Sequence, residues 1–400
     1  MKKNRQRRAG RESAATASTA SSSAGERAGA RFDWRRIDWE TVALVVAIKL
    51  LVMVFAGVAY AVLENKTTGG LYGWLAIWNR WDAPHYLDIA RDGYVTEGEA
   101  RKWIVFYPLY PLATRVLSYV FQDYLLSALV VSALASIAAA LLLQRLVEID
   151  FDRTIARAAV WFMFIFPTSY FFHTSYTESL FMAIALGAFL AARGRRWWVA
   201  GLLAALACMT RVNGLMLVPA LAVEAFLQYR EDPARGLRAE WLWIALAGVG
   251  VAIYLSVNYA VHGDPFAFQK ITQAAWHKQL APPWEGIAAA WDAGWRAPAE
   301  AHMVGVEEFF FILLGLACTV WCWLTLRASY AVWMTFNWLL WTSTSFILST
   351  PRYTLILFPI YILFARLAAR RPVWGGVITA WSLLFLALFT GLFVRGHWAF

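Results

Sequence analysis

About eleven apolar stretches, most of them near the length that crosses a bilayer, divide this 400-residue chain, and they leave little freedom in what it can fold into. A helix needs about 20 apolar residues to cover the hydrocarbon. On that ruler spans fall near 42–62, 124–147, 155–173, 178–192, 197–210, 213–228, 241–262, 307–327, 331–349, 353–368 and 373–394. The pair within 197–228 reads either as one long tilted helix or as two short ones broken at Thr210–Gly214. The positive-inside rule decides for two, because the break puts Arg193, Arg195 and Arg196 on the same side as Arg230, Arg327 and Arg366. The expected fold class is all-α: a polytopic integral membrane protein of about 11 transmembrane helices with a helical first outer loop.

Composition agrees, since 60% of residues are hydrophobic, 16% are charged and the mean hydropathy is +0.51. No soluble domain covers that much apolar surface. The 23 Trp and 16 Tyr suit the headgroup zone, so many are belt residues. A net charge of +10 reads as topology, because the basic residues gather in the N-terminal tail and in short loops; nucleic acid is not an expected partner. Residues 1–38 are expected to be a disordered, basic, cytoplasmic tail with no cleavable signal, followed by a transmembrane domain over 39–400 with outer loops at 63–123 and 263–306. Cys208, Cys318 and Cys322 fall inside apolar runs and read as small buried hydrophobes.

The polar residues with chemical potential form four clusters that this topology brings to the outer face: Trp81–Tyr86, Phe166–Ser179, Thr210–Asn213 and Thr350–Tyr353. In a helix starting at Trp81, Asp82, His85, Tyr86 and Ile89 share one face. Asp82, flanked by Trp81 and Pro84 at an interface, is partly desolvated and a candidate proton acceptor; the bland alternative is a helix N-terminal Asp or a partner for Arg80. Glu178 is either a site carboxylate or the last member of a Ser175-x-x-Glu178 capping box. The hydroxyl-rich stretch before it, with His173 and Tyr176, suits a sugar-lining wall, while an interfacial His facing water is the plainer reading. Arg211 and Arg352 lie near the ends of apolar runs, where an anion should compensate them. A substrate phosphate is one candidate; snorkelling or an internal carboxylate is the other. Asn213 and Tyr353 would complete the hydrogen bonding. No metal is expected, because the His residues lack i, i+4 pairs and there is no Asp-x-Asp; nor is a cofactor, since no phosphate-binding Gly loop is visible.

Taken in order, RWDAPHYLDIARDGY (Arg80–Tyr94), FYPLYP (Phe106–Pro111), FPTSYFFHTSYTESLF (Phe166–Phe181), the R-x-N at Arg211–Asn213 and STPRYTLILFPIY (Ser349–Tyr361) resemble the PIG-V-type mannosyltransferases of the GT-C superfamily of multi-spanning glycosyltransferases. The resemblance covers about residues 75–365. It implies a GT-C-like transmembrane domain and a lipid-phosphate mannose donor, dolichyl- or polyprenyl-linked. It also implies transfer to a lipid or glycan acceptor on the non-cytosolic side, with inversion. The family's catalytic Asp carries over to Asp82, and Arg211 and Arg352 match positions suited to the donor phosphate. The membrane would be the plasma membrane in a bacterium and the endoplasmic reticulum in a eukaryote. Competing readings are a transporter or flippase of a lipid-linked sugar, a related enzyme using another sugar, and a purely structural membrane subunit.

Overall fold

The computed structural model describes residues 37–296 and 299–400; the expected N-terminal tail, apart from its last two residues, lies outside the described residues. Among the described residues the regular structure is helical, with one isolated antiparallel bridge between Leu280 and Thr344. Helix α1 runs Trp39–Glu64, after which the segment expected as the first outer loop carries α2 (Leu71–Ala76), α3 (Ala83–Asp92), a 3₁₀ turn (Glu99–Val105) and α4 (Leu109–Phe121). The bundle continues through α5 (Tyr124–Glu148), α6 (Arg153–Ile165), α7 (Glu178–Arg193), α8 (Trp197–Cys208), α9 (Leu217–Glu231) and α10 (Ala247–His262). The segment expected as the second outer loop holds α11 (Ala267–Trp276) and α12 (Pro283–Arg296). Then follow α13 (Ala299–Thr325), α14 (Ala328–Thr342), the short α15 (Thr350–Thr354), α16 (Pro359–Arg370) and α17 (Pro372–Val394).

Local chemistry sets many of these boundaries. Asp123 and Asp152 cap α5 and α6, their carboxylates accepting from Leu126 N at 2.7 Å and Ile155 N at 3.0 Å. Pro84, Pro359 and Pro372 sit in the first turns of α3, α16 and α17, where a missing N–H costs nothing. Along α3 Arg91 lies 2.9 Å from Asp88 and 2.9 Å from Asp92, relieving the repulsion of two carboxylates one turn apart.

By length and composition, six described helices are able to cross a membrane, or seven if the bent pair of the Glu99–Val105 turn and α4 is one span. The expected count of about eleven is therefore not reproduced at that length. Each of the runs expected at 155–173, 178–192, 331–349 and 353–368 carries one helix, but α6, α7, α14 and α16 have only 13, 16, 15 and 12 residues, with turns rich in hydroxyl and ring side chains between them. Several of these short helices are largely buried in the bundle, so their backbones are shielded by neighbouring helices rather than by their own length. The break predicted at Thr210–Gly214 is present: α8 ends at Cys208 and a 3₁₀ turn over Val212–Met216 leads into α9. Gly214 is required there, because a Cβ would lie 2.4 Å from the backbone of Ala207 and Cys208.

Helix α7 lies against α5 and α8 and joins two buried ionic clusters. At its end, Arg193 forks onto Asp150 at 2.8 and 2.6 Å and donates to the Tyr330 hydroxyl at 2.8 Å. Beside it the buried Glu224 accepts from Arg327 at 2.7 and 2.9 Å, from Ser329 at 2.8 Å and from Gln228 at 3.0 Å. The other cluster, at the start of α7, is the candidate site.

Candidate active site

Four segments distant in sequence meet at the N-terminus of α7. Arg352, on α15, donates from Nη1 to Asp82 Oδ2 at 2.8 Å and from Nε to Glu178 Oε1 at 2.5 Å. Arg211 donates from Nη1 to the same Glu178 oxygen and to Thr177 Oγ1, the latter at 2.9 Å. Asp82, Arg352, Glu178 and Arg211 thus form one continuous chain of charge-assisted bonds. Glu178 is fully buried and both arginines are less than a tenth exposed, whereas the Asp82 side chain is 31% exposed. Asp82 is the most accessible member of the chain.

The backbone is strained where it delivers these groups. Trp81 (φ 57°) and Ser349 (φ 73°) adopt left-handed conformations, and they immediately precede Asp82 and the Thr350–Tyr353 turn. The strained peptide at Trp81 is held from across the site. The Tyr176 hydroxyl accepts from Asp82 N at 3.0 Å and donates to Arg80 O at 3.0 Å. On the other side the buried carboxylate of Glu308 accepts from Ser349 N at 2.5 Å and Thr350 N at 2.7 Å, fixing the turn that carries Arg352. Rings of Tyr176 and Phe171 lie 4.6 and 5.0 Å from the Arg352 guanidinium carbon, within cation–π range.

The structure departs from two sequence readings. Glu178 is not part of a capping box: α7 begins at Glu178 itself, its N-cap is Thr177 without a side-chain cap bond, and the buried Ser175 hydroxyl has no hydrogen-bond partner. The carboxylate turns instead to two guanidiniums, whose attraction far exceeds that of one neutral N–H. Asp82 occupies the N-cap of α3 but makes no cap bond, and its partner is Arg352, not Arg80. For Arg211 and Arg352 the compensating anions within the protein are these carboxylates. Neither arginine is used up, since each guanidinium has five N–H donors and Nη2 of both makes no bond among the described residues.

The remaining predicted residues surround this chain. His85 stacks on Trp103 at 3.6 Å, and burial lowers its pKa below the usual imidazole value, with the Asp82 charge opposing. Tyr86 is buried edge-on to Phe106, Tyr110 and Tyr176, and burial raises its phenol pKa. Asn213 Nδ2 donates to Asn337 Oδ1 at 2.8 Å, and Tyr353 stacks on Trp341. His173 faces the bundle interior rather than water: Nδ1 lies 3.0 Å from Lys49 Nζ, and Nε2 is buried with no partner. Sequence reasoning passed over Thr177, Lys278, Glu308, Asn337 and Lys49. Of these Lys49 and Glu308 were detectable, as ionisable residues inside apolar runs. Among the described residues no His, Cys, Asp and Glu group is arranged to hold a metal.

A helical membrane bundle with a buried, mixed-charge site under a helical loop is the class that fold and site define. The sequence profile of the mannosyltransferase (PIG-V) family matches residues 60–259, half of the chain, and the chain belongs to that family. Asp82, His85, Tyr86, His173, Tyr176, Glu178, Arg211 and Asn213 fall inside that match, while Arg352 and Tyr353 lie beyond it. The chain is 33% identical over 164 residues to the GPI alpha-1,6-mannosyltransferase 2 of Mus musculus, covering 38% of this chain and 32% of the mouse protein. It is 33% identical over 152 residues to the Rattus norvegicus protein of the same name, covering 35% and 30%. The match spans about a third of the length of these curated relatives. Among solved structures, the Archaeoglobus fulgidus oligosaccharyltransferase tethered to an acceptor peptide aligns with 88% of this chain and 55% of that one, at 14% identity and a TM-score of 0.41. The same enzyme with zinc and sulfate aligns with 88% and 53%, at 11% identity and a TM-score of 0.42.

Proposed function

We propose that the protein is a membrane glycosyltransferase that moves a mannosyl residue from a polyprenyl- or dolichyl-phosphate donor to a lipid or glycan acceptor on the non-cytosolic face. That face is the lumen of the endoplasmic reticulum in a eukaryote and the outer surface of the plasma membrane in a bacterium. The observation that carries this reading is the chain Asp82–Arg352–Glu178–Arg211, with its acid end accessible and its middle buried. Family membership supports it independently.

In the proposed reaction Asp82 takes the proton of the acceptor hydroxyl as that oxygen attacks the anomeric carbon. The new C–O bond forms on the face opposite the phosphate, the bond from the anomeric carbon to the phosphate oxygen breaks, and its electron pair leaves with the lipid phosphate. One displacement inverts the anomeric configuration. Arg352 binds Asp82 through one oxygen, which orients the carboxylate and leaves Oδ1 for the acceptor. The unused N–H groups of Arg211 and Arg352 receive the departing phosphate, where charge grows in the transition state. The hydroxyls of Ser175, Ser179 and Thr350 are buried without partners and supply donors and acceptors for a sugar.

The purified protein, given radiolabelled polyprenyl-phosphate mannose and a mixture of lipid and glycan acceptors in detergent, should place label on an acceptor, and Asp82→Asn should slow that transfer by about two to four orders of magnitude while retaining donor binding. Normal turnover by the Asn variant would remove Asp82 from the role of base. The broken span at Thr210–Gly214 is the feature that favours transport. Vectorial movement of label in vesicles without a new covalent product would decide for it.

A further inference from the structure

The four-residue chain is electrically closed. Asp82 and Glu178 contribute two negative charges and Arg211 and Arg352 two positive ones, all ion-paired. Its arginines retain N–H donors for a phosphate but no surplus charge. A phosphodiester-linked sugar brings one negative charge, and the lipid monophosphate that leaves carries more. In a largely buried site an uncompensated anion is costly, so a further cation should lie within reach of the arginines.

Lys278 fits that position. It belongs to the second outer loop, whose backbone is pinned beside the site: Ser345 N donates to Gln279 O at 2.9 Å, and Leu280 bridges Thr344. The half-buried Lys278 ammonium lies 5.3 Å from the Tyr353 ring centroid, and the Arg211 guanidinium carbon lies 5.8 Å from the same ring. Its hydrogen bonds are long, 3.4 Å to the Tyr353 hydroxyl and 3.4 Å to Leu348 O, and among the described residues it forms no ion pair. The buried carboxylate within its field, Glu308, already accepts from two backbone N–H groups, one on each oxygen. An ammonium carries three donors, so Lys278 has both charge and bonding capacity to offer.

We propose that Lys278 is a phosphate ligand of the donor site, supplying a cation that is not hydrogen-bonded to a carboxylate, unlike Arg211 and Arg352. This rests on the proposed function for the identity of the donor, while the phosphate contact is tested by binding alone. The probes are a short-chain isoprenyl monophosphate and the matching isoprenol, titrated onto the full chain in neutral detergent. The wild type should prefer the phosphate. Lys278→Gln should weaken phosphate binding roughly ten- to a hundredfold, as expected for a charge-assisted bond, and leave isoprenol binding unchanged, while Lys278→Arg should retain most of the preference. Unchanged phosphate affinity in Lys278→Gln overturns the proposal, and so does an equal loss for both probes, which would mark a loop-pinning role. Displacement of the isoprenyl phosphate by equimolar phosphatidylglycerol overturns it in favour of bilayer headgroups. A wild type that prefers the phosphate but transfers no mannose would overturn the proposed function and leave Lys278 as a phosphate ligand.

Discussion

Helix α7 carries a buried ionic cluster at each end, about 22 Å apart by helical rise, and the two are finished differently. At the Arg193 end, Glu224 receives four hydrogen bonds on its two oxygens, and the side chains around it, Arg327, Ser329, Gln228 and Tyr330, are all engaged. At the Glu178 end, both arginines crowd onto Oε1, while Oε2 is buried without a partner, as are the hydroxyls of Ser175, Ser179 and Thr350. Both ends use the same residue types under the same burial, so composition does not distinguish them. Closure does: both oxygens of Glu224 are bonded, whereas the Glu178 end keeps a bare carboxylate oxygen and three buried hydroxyls with bonding capacity left over.

Substitutions at the two ends should separate these roles. The largest expected effect is that of Asp82→Asn, with transfer falling by about 10²- to 10⁴-fold, the usual share of a general base, and the thermal midpoint unchanged. Glu224→Ala should cost about 3–5 kcal/mol of stability by leaving Arg327 and Arg193 without their buried anion, measured as a lowered denaturation midpoint in detergent, with kcat of the folded fraction retained. Loss of kcat at unchanged stability in that variant would break the comparison. Conservative changes sharpen it further: Arg352→Lys removes the planar fork and should reduce kcat/KM roughly tenfold or more, whereas Arg327→Lys should lower the midpoint and leave kcat/KM alone. Ser349→Gly removes a left-handed non-glycine and should gain about 1 kcal/mol of stability.

The smallest effect concerns pH. The folded state lowers the pKa of His85, chiefly through burial against Trp103, so protonation opposes the stacked arrangement. Its contribution is present above the unfolded imidazole pKa and is lost as pH falls through the lower, folded value. The His85 ring resonances should titrate with a midpoint below 6.5, and protease sensitivity of the first outer loop should rise only below that point. A midpoint above 6.5 would contradict the burial of this face.

Much of the site was legible because its residues are anomalous for their surroundings. Guanidiniums at the ends of apolar runs, a polar Thr-Arg-Val-Asn-Gly break and an acidic helix entry all stand out against lipid-facing sequence, and the structure joins all four clusters through hydrogen bonds at one point. What the sequence concealed was partner choice. Ser175-x-x-Glu178 satisfies a capping pattern, and only the arrival of Arg211 and Arg352 from elsewhere in the chain takes the carboxylate away from it. The number of spans is not confirmed for a related reason: each expected run carries a helix, but several are shorter than the hydrocarbon ruler and are enclosed by other helices. Lys278, in a polar loop with no motif around it, carried no signal until Tyr353 was placed beside it.

The Tyr176 phenol has one further consequence. Because a single oxygen holds the peptides on both sides of Trp81, the aspartate cannot swing away without breaking two bonds at the same atom. Two residues after that tyrosine comes Glu178, so Asp82 and the buried carboxylate behind it are registered to one short segment. Loosening of the segment over 63–123 should therefore be felt elsewhere first, leaving Asp82 as stiff as the bundle that supports it.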